Sequence, residues 1–227
     1  MLNLHKRSRK LIRIAGVLLL LCITWISVGK SEQTNDKHPV TAGKTETAIF
    51  AGGCFWCVES DFDKVPGVLE TISGYTGGHT KNPTYKEVTY KETGHYEAVK
   101  IVYDPAKVSY KQLLHSFWRS VDPTDASGQF CDKGTSYRSA IFPTSEEQMK
   151  AATTSKEQEN TTGKLNGRIV TKVIKAKMFY KAEDYHQNYY QKNPIRYKIY
   201  RHGCGRDKRI KYLWGDEAHS GMKDLTH

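Results

Sequence analysis

The chain has 227 residues, 38% of them hydrophobic, which suffices for one or two domains with a substantial core. Lys and Arg number 35 against 24 Asp and Glu, a net charge of +11. The basic residues are scattered over 81–111, 150–181 and 192–211 and form no single stripe, so the composition argues against a nucleic-acid-binding protein.

The N-terminus has the composition of an export segment. Basic residues without any acid occupy 1–13, and an almost unbroken apolar run follows at 14–28. The run is shorter than the roughly 20 residues that span a bilayer comfortably, and Ser27 and Gly29 supply small residues for cleavage. We predict that 1–29 is an export signal, with an uncleaved membrane anchor as the alternative. The mature protein is then periplasmic or otherwise extracytoplasmic.

A polar segment separates this N-terminus from the folded part of the chain. Residues 30–46 lack any apolar period and are predicted to be a flexible linker. The folded domain is predicted at 47–215, with a C-terminal tail at 216–227. Its first elements are an apolar strand at 48–51, a break at Gly52-Gly53 and a helix at 54–65 with a single apolar face.

The remaining elements alternate in a regular order. Strands are predicted at 68–75, 96–103, 137–142 and 169–176, helices at 109–121 and 145–160, and a Gly-rich excursion at 74–84. The order β-α-β-β-α-β predicts an α+β fold: a two-layer split βαβ (ferredoxin-like) mixed sheet with helices on one face. The region beyond Asn193 is predicted to be an extended tail wrapped on this domain.

The strongest chemical signal is a pair of cysteines just after the first strand. Cys54 follows the Gly52-Gly53 turn at the start of a helix, where free amide groups and the helix dipole favour thiolate over thiol. Cys57 lies one turn later on the same face, so it can attack an oxidised Cys54. Two structural cysteines are the alternative, but export into an oxidising space argues against an inert Cys-x-x-Cys pair.

The residues around this pair resemble the A-type methionine sulfoxide reductases, the peptide-methionine (S)-S-oxide reductase family. Six separated segments within 47–215 match this family in its order, whereas Cys-x-x-Cys alone is shared with many oxidoreductases. The segments are Gly53-Cys54-Phe55-Trp56, Ser73-Gly74-Tyr75, 82–88, Thr93-Gly94-His95-Tyr96-Glu97-Ala98-Val99, 134–141 and Ala182-Glu183-Asp184-Tyr185-His186-Gln187.

The resemblance implies a role for each site residue. Cys54 attacks the sulfoxide sulfur, and Glu97 protonates the sulfoxide oxygen, which is a poor leaving group otherwise. Tyr85 and Tyr137 are the hydroxyl donors to that oxygen, and Asp132 is a companion carboxylate. Phe55 and Trp56 form the apolar wall that receives the S-methyl group. Ordinary core packing is the alternative for Phe55, and His186 is the one histidine expected to help order the site.

The reaction leaves Cys54 as a sulfenic acid that a second thiol must resolve. The candidates are Cys57, which is nearest in sequence, and Cys204, which lies between glycines in a segment predicted to be a mobile tail. We favour Cys57 first, with transfer to Cys204 as a second step. Cys131 has the weakest case and is expected to be buried and reduced. The chain departs here from relatives that carry Gly after Phe-Trp.

The sequence carries no cofactor motif, and the spacing of its cysteines does not favour a zinc site. Electrons are therefore expected from an external thiol reductant, either a thioredoxin-like protein or a membrane thiol relay. The expected substrates are oxidised proteins or peptides containing methionine sulfoxide. Two rivals remain: a general disulfide oxidoreductase using Cys54 and Cys57, for which Glu97 has no purpose, and a non-catalytic protein that binds methionine-rich partners through the aromatic site.

Overall fold

The computed structural model describes residues 43–223. The predicted export segment, most of the predicted linker and the last four residues of the predicted tail lie outside the described residues. The strands are β1 Glu46–Gly52, β2 Val68–Thr76, β3 Tyr96–Tyr103, β4 Gly128–Gln129, β5 Asp132–Lys133, β6 Ser139–Ile141, β7 Lys172–Val173 and β8 Tyr180–Lys181. The helices are α1 Phe55–Phe62, α2 Tyr85–Tyr90, α3 Tyr110–Trp118, α4 Glu146–Thr161, α5 Tyr189–Lys192, α6 Pro194–Gly203 and α7 Arg206–Trp214.

Six strands form one mixed sheet in the order β7-β6-β1-β3-β2-β8. β3 lies antiparallel between β1 and β2, and β6 runs antiparallel to β1 on its other side. These four strands have the arrangement of a split βαβ unit, in which α1 connects β1 to β2 across β3. The predicted α+β class and the mixed sheet are confirmed. β4 and β5 form a separate two-stranded ribbon.

The two faces of the sheet bury different side chains. Ala48 and Phe50 of β1 belong to the main core beneath α1 and α3, whereas Ile49 and Ala51 face a second, smaller core. Because both faces are covered there, the segment 48–51 of β1 is a continuous apolar run and does not alternate with polar residues. Phe179 and its neighbours at 174 and 176 cover the second core.

Side-chain caps fix where several helices begin. The Ser109 side chain accepts a hydrogen bond from the Gln112 amide, and the Ser109 amide donates one to the Gln112 side chain; Thr84 and Glu87 make the same reciprocal pair before α2. At the start of α4, the Ser145 side chain accepts a hydrogen bond from the Gln148 amide without a reciprocal bond. These caps place α2 at the end of the Gly-rich excursion, where the sequence analysis did not predict a helix.

The structure differs from the sequence prediction mainly in the last third of the chain. The strand expected at 169–176 pairs only over Lys172–Val173, and the segment after Asn193 forms α6 and α7 instead of continuing as an extended chain. The segment does wrap on the domain, since Ile210 and Trp214 are part of the main core. Among residues 43–223, no helix combines the length and apolar character needed to cross a membrane.

Candidate active site

The two free cysteines lie at the junction of β1 and α1. Gly53 turns the chain with φ of +86°, and a Cβ on it would stand 2.6 Å from the Cβ of Gln129. Cys54 is the N-cap of α1, and its carbonyl oxygen accepts a hydrogen bond from the Cys57 amide at 3.1 Å. Both thiols are free and buried. The tight turn therefore presents Cys54 at the first turn of the helix with Cys57 directly behind it.

Glu97 reaches the same turn from the sheet. It lies on β3, and its Oε2 accepts a hydrogen bond from the amide of Phe55 at 3.0 Å. The side chain is 2% exposed. Burial, with a further contribution from the charge of Asp132, raises the pKa of Glu97 to about 8. The carboxyl group therefore carries a proton at neutral pH, as a general acid must.

Two tyrosine hydroxyls accompany the carboxyl group. Tyr85 opens α2, and Tyr137 closes the single 3₁₀ turn before β6. Burial and then the charge of Glu97 raise the pKa of both hydroxyls. Both hydroxyls therefore stay protonated and can donate hydrogen bonds to an oxygen that gains negative charge.

Glu183 anchors this arrangement and was not singled out in the sequence analysis. Its Oε1 accepts a hydrogen bond from the amide of Tyr85, and its Oε2 accepts one from the hydroxyl of Tyr75, both at 2.8 Å. One carboxylate thus ties the first residue of α2 to β2. Its position within the motif at 182–187 was the available signal, although nothing in the motif indicates which partners it binds.

Aromatic rings form the apolar side of the site. Phe55 is almost fully buried, and its ring centroid lies 4.8 Å from that of His186. Trp56 is half-buried, stacks on Tyr189 at 3.6 Å between centroids, and donates its Nε1 hydrogen to Nδ1 of His186 at 3.0 Å. Burial lowers the pKa of His186 to about 4, so the ring is neutral and carries its proton on Nε2.

The carboxylate Asp132 enters the site from β5, held by the C-terminal helices. Its Oδ2 accepts a hydrogen bond from the hydroxyl of Tyr200 on α6 at 2.5 Å. The Tyr200 ring in turn meets Trp56 edge-on, with centroids 5.8 Å apart. Burial raises the pKa of Asp132. The polar and apolar sides of the site thus meet at Tyr200.

The pKa values of the two thiols shift in opposite directions, and the expectation of a thiolate at Cys54 is not met. Burial raises the pKa of Cys54 well above its ordinary value, and the charge of Asp132 adds to this effect. The amide of Phe55, at the start of the helix beside Cys54, is already bonded to Glu97. A hydrogen bond with Cys54 lowers the pKa of Cys57, and the guanidinium groups of Arg206 and Arg201 lower it further.

Those two arginines belong to a buried charged group that the sequence analysis missed. Arg201 and Arg206 are each 2% exposed. Arg201 binds Asp61 at 2.7 Å and Asp207 at 2.6 Å, while Arg206 donates to the carbonyl oxygens of Gly52 at 3.0 Å and of Ser120. The sequence analysis noted only that the basic residues are scattered, whereas these two are buried beneath the cysteine pair.

The prediction for Cys131 is wrong. Cys131 is exposed and forms a disulfide with Cys204, because the ribbon of β4 and β5 lies against the junction of α6 and α7 and brings the two Cα atoms to 4.8 Å. Cys204 is the C-cap of α6 and so is not in a mobile tail. Cys57 is then the free thiol beside Cys54 in the described residues.

The structure brings nearly all the predicted site residues to one place. The members of this cluster are Cys54, Phe55, Trp56, Cys57, Tyr85, Glu97, Asp132, Tyr137 and His186. Within residues 43–223, the side chains that come close enough to share a metal ion are Cys131, Asp132 and Cys204, and the sulfur atoms of that group are already bonded to each other.

Comparison with known proteins shows which family this chain resembles. Residues 46–218 match the family model described as peptide methionine sulfoxide reductase. Two relatives are peptide methionine sulfoxide reductase MsrA 2 of Caulobacter vibrioides, 53% identical over 78% of this chain and 89% of the relative, and MsrA of Bacillus subtilis, 51% identical over 76% and 97%.

Solved structures agree. Methionine sulfoxide reductase A of Corynebacterium diphtheriae is 38% identical with a TM-score of 0.64, covering 66% of this chain and 76% of that one. Reduced Mxr1 of Saccharomyces cerevisiae is 32% identical with a TM-score of 0.61, covering 66% and 87%. The chain therefore belongs to the peptide methionine sulfoxide reductase family.

Proposed function

We propose that this chain reduces the S epimer of methionine sulfoxide in peptides and proteins, with Cys54 as nucleophile, Glu97 as general acid and Cys57 as resolving thiol. The observation that carries the proposal is the contact between Glu97 and the first turn of α1. This contact supports the proposal because a buried carboxyl group that is protonated at neutral pH lies next to Cys54. A general disulfide oxidoreductase has no use for such an acid, because thiol–disulfide exchange protonates no oxygen.

The first half of the cycle transfers oxygen from the substrate to Cys54. The Cys54 sulfur attacks the sulfoxide sulfur while Glu97 gives its proton to the sulfoxide oxygen, and Tyr85 and Tyr137 stabilise the charge on that oxygen. The hydroxyl formed on the substrate sulfur passes to the Cys54 sulfur as the bond between the two sulfur atoms breaks, so the substrate leaves as a thioether and Cys54 becomes a sulfenic acid. The thiol proton of Cys54 replaces the proton that Glu97 gave, so the site returns to its starting protonation state. The rings of Phe55 and Trp56 hold the S-methyl group.

The second half consumes the sulfenic acid. The Cys57 sulfur attacks the Cys54 sulfur, a disulfide forms, and the oxygen leaves as water. A dithiol donor then supplies two electrons and two protons and restores both thiols. A thioredoxin-like protein or a membrane thiol relay fits this need, since the chemistry asks for a dithiol and no other group. The guanidinium groups of Arg206 and Arg201 favour the Cys57 anion that performs the attack.

We also propose that the protein works outside the cytoplasm. The support is the basic and apolar character of residues 1–28 together with the Cys131–Cys204 disulfide, a bond that persists in oxidising compartments. Fractionation of cells producing the full chain should place it with extracytoplasmic proteins. Recovery of the full-length chain in the cytoplasmic fraction would refute this assignment.

The decisive test is turnover of a peptide methionine sulfoxide resolved by epimer. With dithiothreitol as reductant, the wild type should consume the S epimer and leave the R epimer, while Cys54→Ser should leave both. With a thioredoxin as reductant, Cys57→Ser should stop after one thioether per protein. A wild type that leaves both epimers intact but exchanges protein disulfides would replace this proposal by the general oxidoreductase.

A further inference from the structure

Three consecutive residues of the β4–β5 ribbon contact the α6–α7 segment, and the Cys131–Cys204 disulfide is the middle one of these contacts. Phe130 lies under the guanidinium of Arg206, with 4.6 Å from its carbon to the ring centroid. Cys131 is bonded to Cys204, and Asp132 accepts the hydrogen bond from Tyr200. Three successive residues of the β4–β5 ribbon thus each bind a residue of the α6–α7 segment.

The backbone of this ribbon turn is itself strained. Phe130 adopts φ of +54°, in the left-handed region that a bulky side chain rarely enters. Such a conformation persists where surrounding contacts over-determine it, and it is common at active sites. The cation–π contact of Phe130 and the disulfide at Cys131 are two of the contacts that hold this turn.

The other partner, the α6–α7 junction, is fixed by buried charges on both sides of Cys204. Arg201, three residues before it, binds Asp61 and Asp207. Arg206, two residues after it, binds the carbonyl oxygen of Gly52. These buried contacts hold Cys204 beside Cys131, and breaking one of them is costly because it leaves a charge unpaired.

We infer that the Cys131–Cys204 disulfide holds Asp132 in the active site and stays closed during turnover, so that Cys54 and Cys57 alone carry the electrons. This inference rests on the proposed function. It assigns the disulfide a positioning role, because its sulfur atoms do not touch the substrate. It also replaces the transfer from Cys57 to Cys204 that the sequence suggested as a second step.

The inference predicts a particular change in pH dependence. Asp132 is one of the groups whose charge keeps the proton on Glu97. A ribbon released from α6 lets Asp132 move out of the site, so Glu97 loses its proton at lower pH. The alkaline limb of the kcat profile should therefore shift to lower pH, which a general loss of stability does not produce.

The test uses the double variant Cys131→Ser with Cys204→Ser, assayed with a thioredoxin as donor beside wild type, Cys57→Ser and Tyr200→Phe. The double variant should sustain many turnovers with kcat lowered about threefold to tenfold and the alkaline limb shifted. Tyr200→Phe, which keeps the disulfide, should shift the limb in the same direction by less. A double variant that stalls after one turnover would make the pair an electron relay, and one with the wild-type rate and profile would remove the positioning role.

Disulfide mapping of the wild type tests the same point without substitution. Before and after one equivalent of sulfoxide, with no reductant present, the Cys131–Cys204 bond should be intact, while Cys54 and Cys57 pass from thiols to a disulfide. Reduced Cys131 and Cys204 in the resting enzyme that become oxidised by the substrate would overturn the inference. A wild type that leaves the sulfoxide unchanged would instead refute the proposed function, and the mapped bond would still report whether the pair is closed.

Discussion

The two buried cysteines stand three residues apart in opposite electrostatic surroundings. Cys54 lies beside the protonated Glu97, and burial together with the charge of Asp132 opposes a negative charge on its sulfur. Cys57 faces the guanidinium groups of Arg206 and Arg201, which favour one. The carboxyl side therefore keeps the proton that the sulfoxide oxygen needs, and the guanidinium side supports the thiolate that resolves the sulfenic acid.

The comparison also separates two parts of the chain. The carboxyl side is supplied chiefly by β3 and the ribbon, and the guanidinium side by α6 and α7. Each half of the proposed cycle thus depends on different elements, although the sulfur atoms share one helix. Substitutions on the two sides should impair different steps.

The largest effect is expected on the carboxyl side. Glu97→Gln keeps an acceptor for the Phe55 amide but cannot protonate the oxygen, so kcat for the S epimer should fall roughly 10²–10⁴-fold. Single-turnover release of thioether measures this step directly. Glu70→Gln is the matched control, because Glu70 is an exposed glutamate on the neighbouring strand β2 and its loss should leave the rate within about twofold. An unimpaired Glu97→Gln enzyme would remove the acid from the mechanism.

The raised pKa of Glu97 also makes stability depend on pH. Glu97 ordinarily titrates near 4.5 and in the folded protein at about 8, so the folded state holds this proton over a range in which the unfolded chain has lost it. Its contribution is fully present below pH 4.5 and is lost as pH rises towards 8. Glu97→Gln should therefore be more stable than wild type at pH 9, by on the order of 5 kcal/mol in denaturant unfolding. Equal stabilities at pH 9 would show that the carboxyl group titrates normally.

On the guanidinium side, Arg206→Met should slow the second half of the cycle. Removing this charge raises the pKa of Cys57, and a rise of one unit lowers the thiolate fraction about tenfold at neutral pH. Disulfide formation after a single addition of sulfoxide, followed by free-thiol titration, should slow by about that factor and recover at higher pH. Thioether release should be nearly unchanged.

Two companion variants keep this prediction specific. Arg209→Met removes a partly exposed arginine of the same helix that pairs with Asp122, and it should not slow disulfide formation. Arg206→Lys retains the charge if the methionine variant is too unstable to assay, and it should restore part of the rate. Slower thioether release with normal disulfide formation in Arg206→Met would contradict the proposed division.

The contrast between the two sides also explains what the sequence could predict. The turn at Gly53, the placement of Cys54 on a helix start and of Glu97 on a strand follow from local patterns, and the structure agrees with them. Arg206 and Tyr200 carry no such signal. Arg206 binds Gly52 from 154 positions away, and arginine is so rarely fully buried that no local pattern predicts its place beneath the site.

The Cys131–Cys204 disulfide could not be predicted from the sequence either. Cys131 and Cys204 are separated by 73 positions, and the pairing depends on how the ribbon meets the α6–α7 junction. Spacing along the chain cannot supply that geometry, because the possible pairings of several cysteines are not distinguished by sequence. The sequence analysis therefore ranked Cys131 last, although it lies next to Asp132.

The smallest effect is expected at the aromatic side of the site, where His186 contacts Trp56. His186→Leu removes the acceptor for the Trp56 indole hydrogen. Because such a hydrogen bond contributes about 1 kcal/mol net, KM should rise about fivefold with kcat little changed. His186→Asn offers an amide oxygen near the position of Nδ1 and should restore most of the affinity. His79→Leu, at an exposed histidine, is the control.

This prediction carries its own pH test. Because the pKa of His186 is lowered to about 4, the ring stays neutral and Nδ1 keeps accepting the indole hydrogen between pH 5.5 and pH 7. The wild-type KM should therefore be constant over that interval, measured at saturating reductant. If KM rose as the pH fell and the His186→Asn variant did not follow, His186 would be gaining a proton there, and Trp56 would be held by its ring contacts with Tyr189 and Tyr200 without this hydrogen bond.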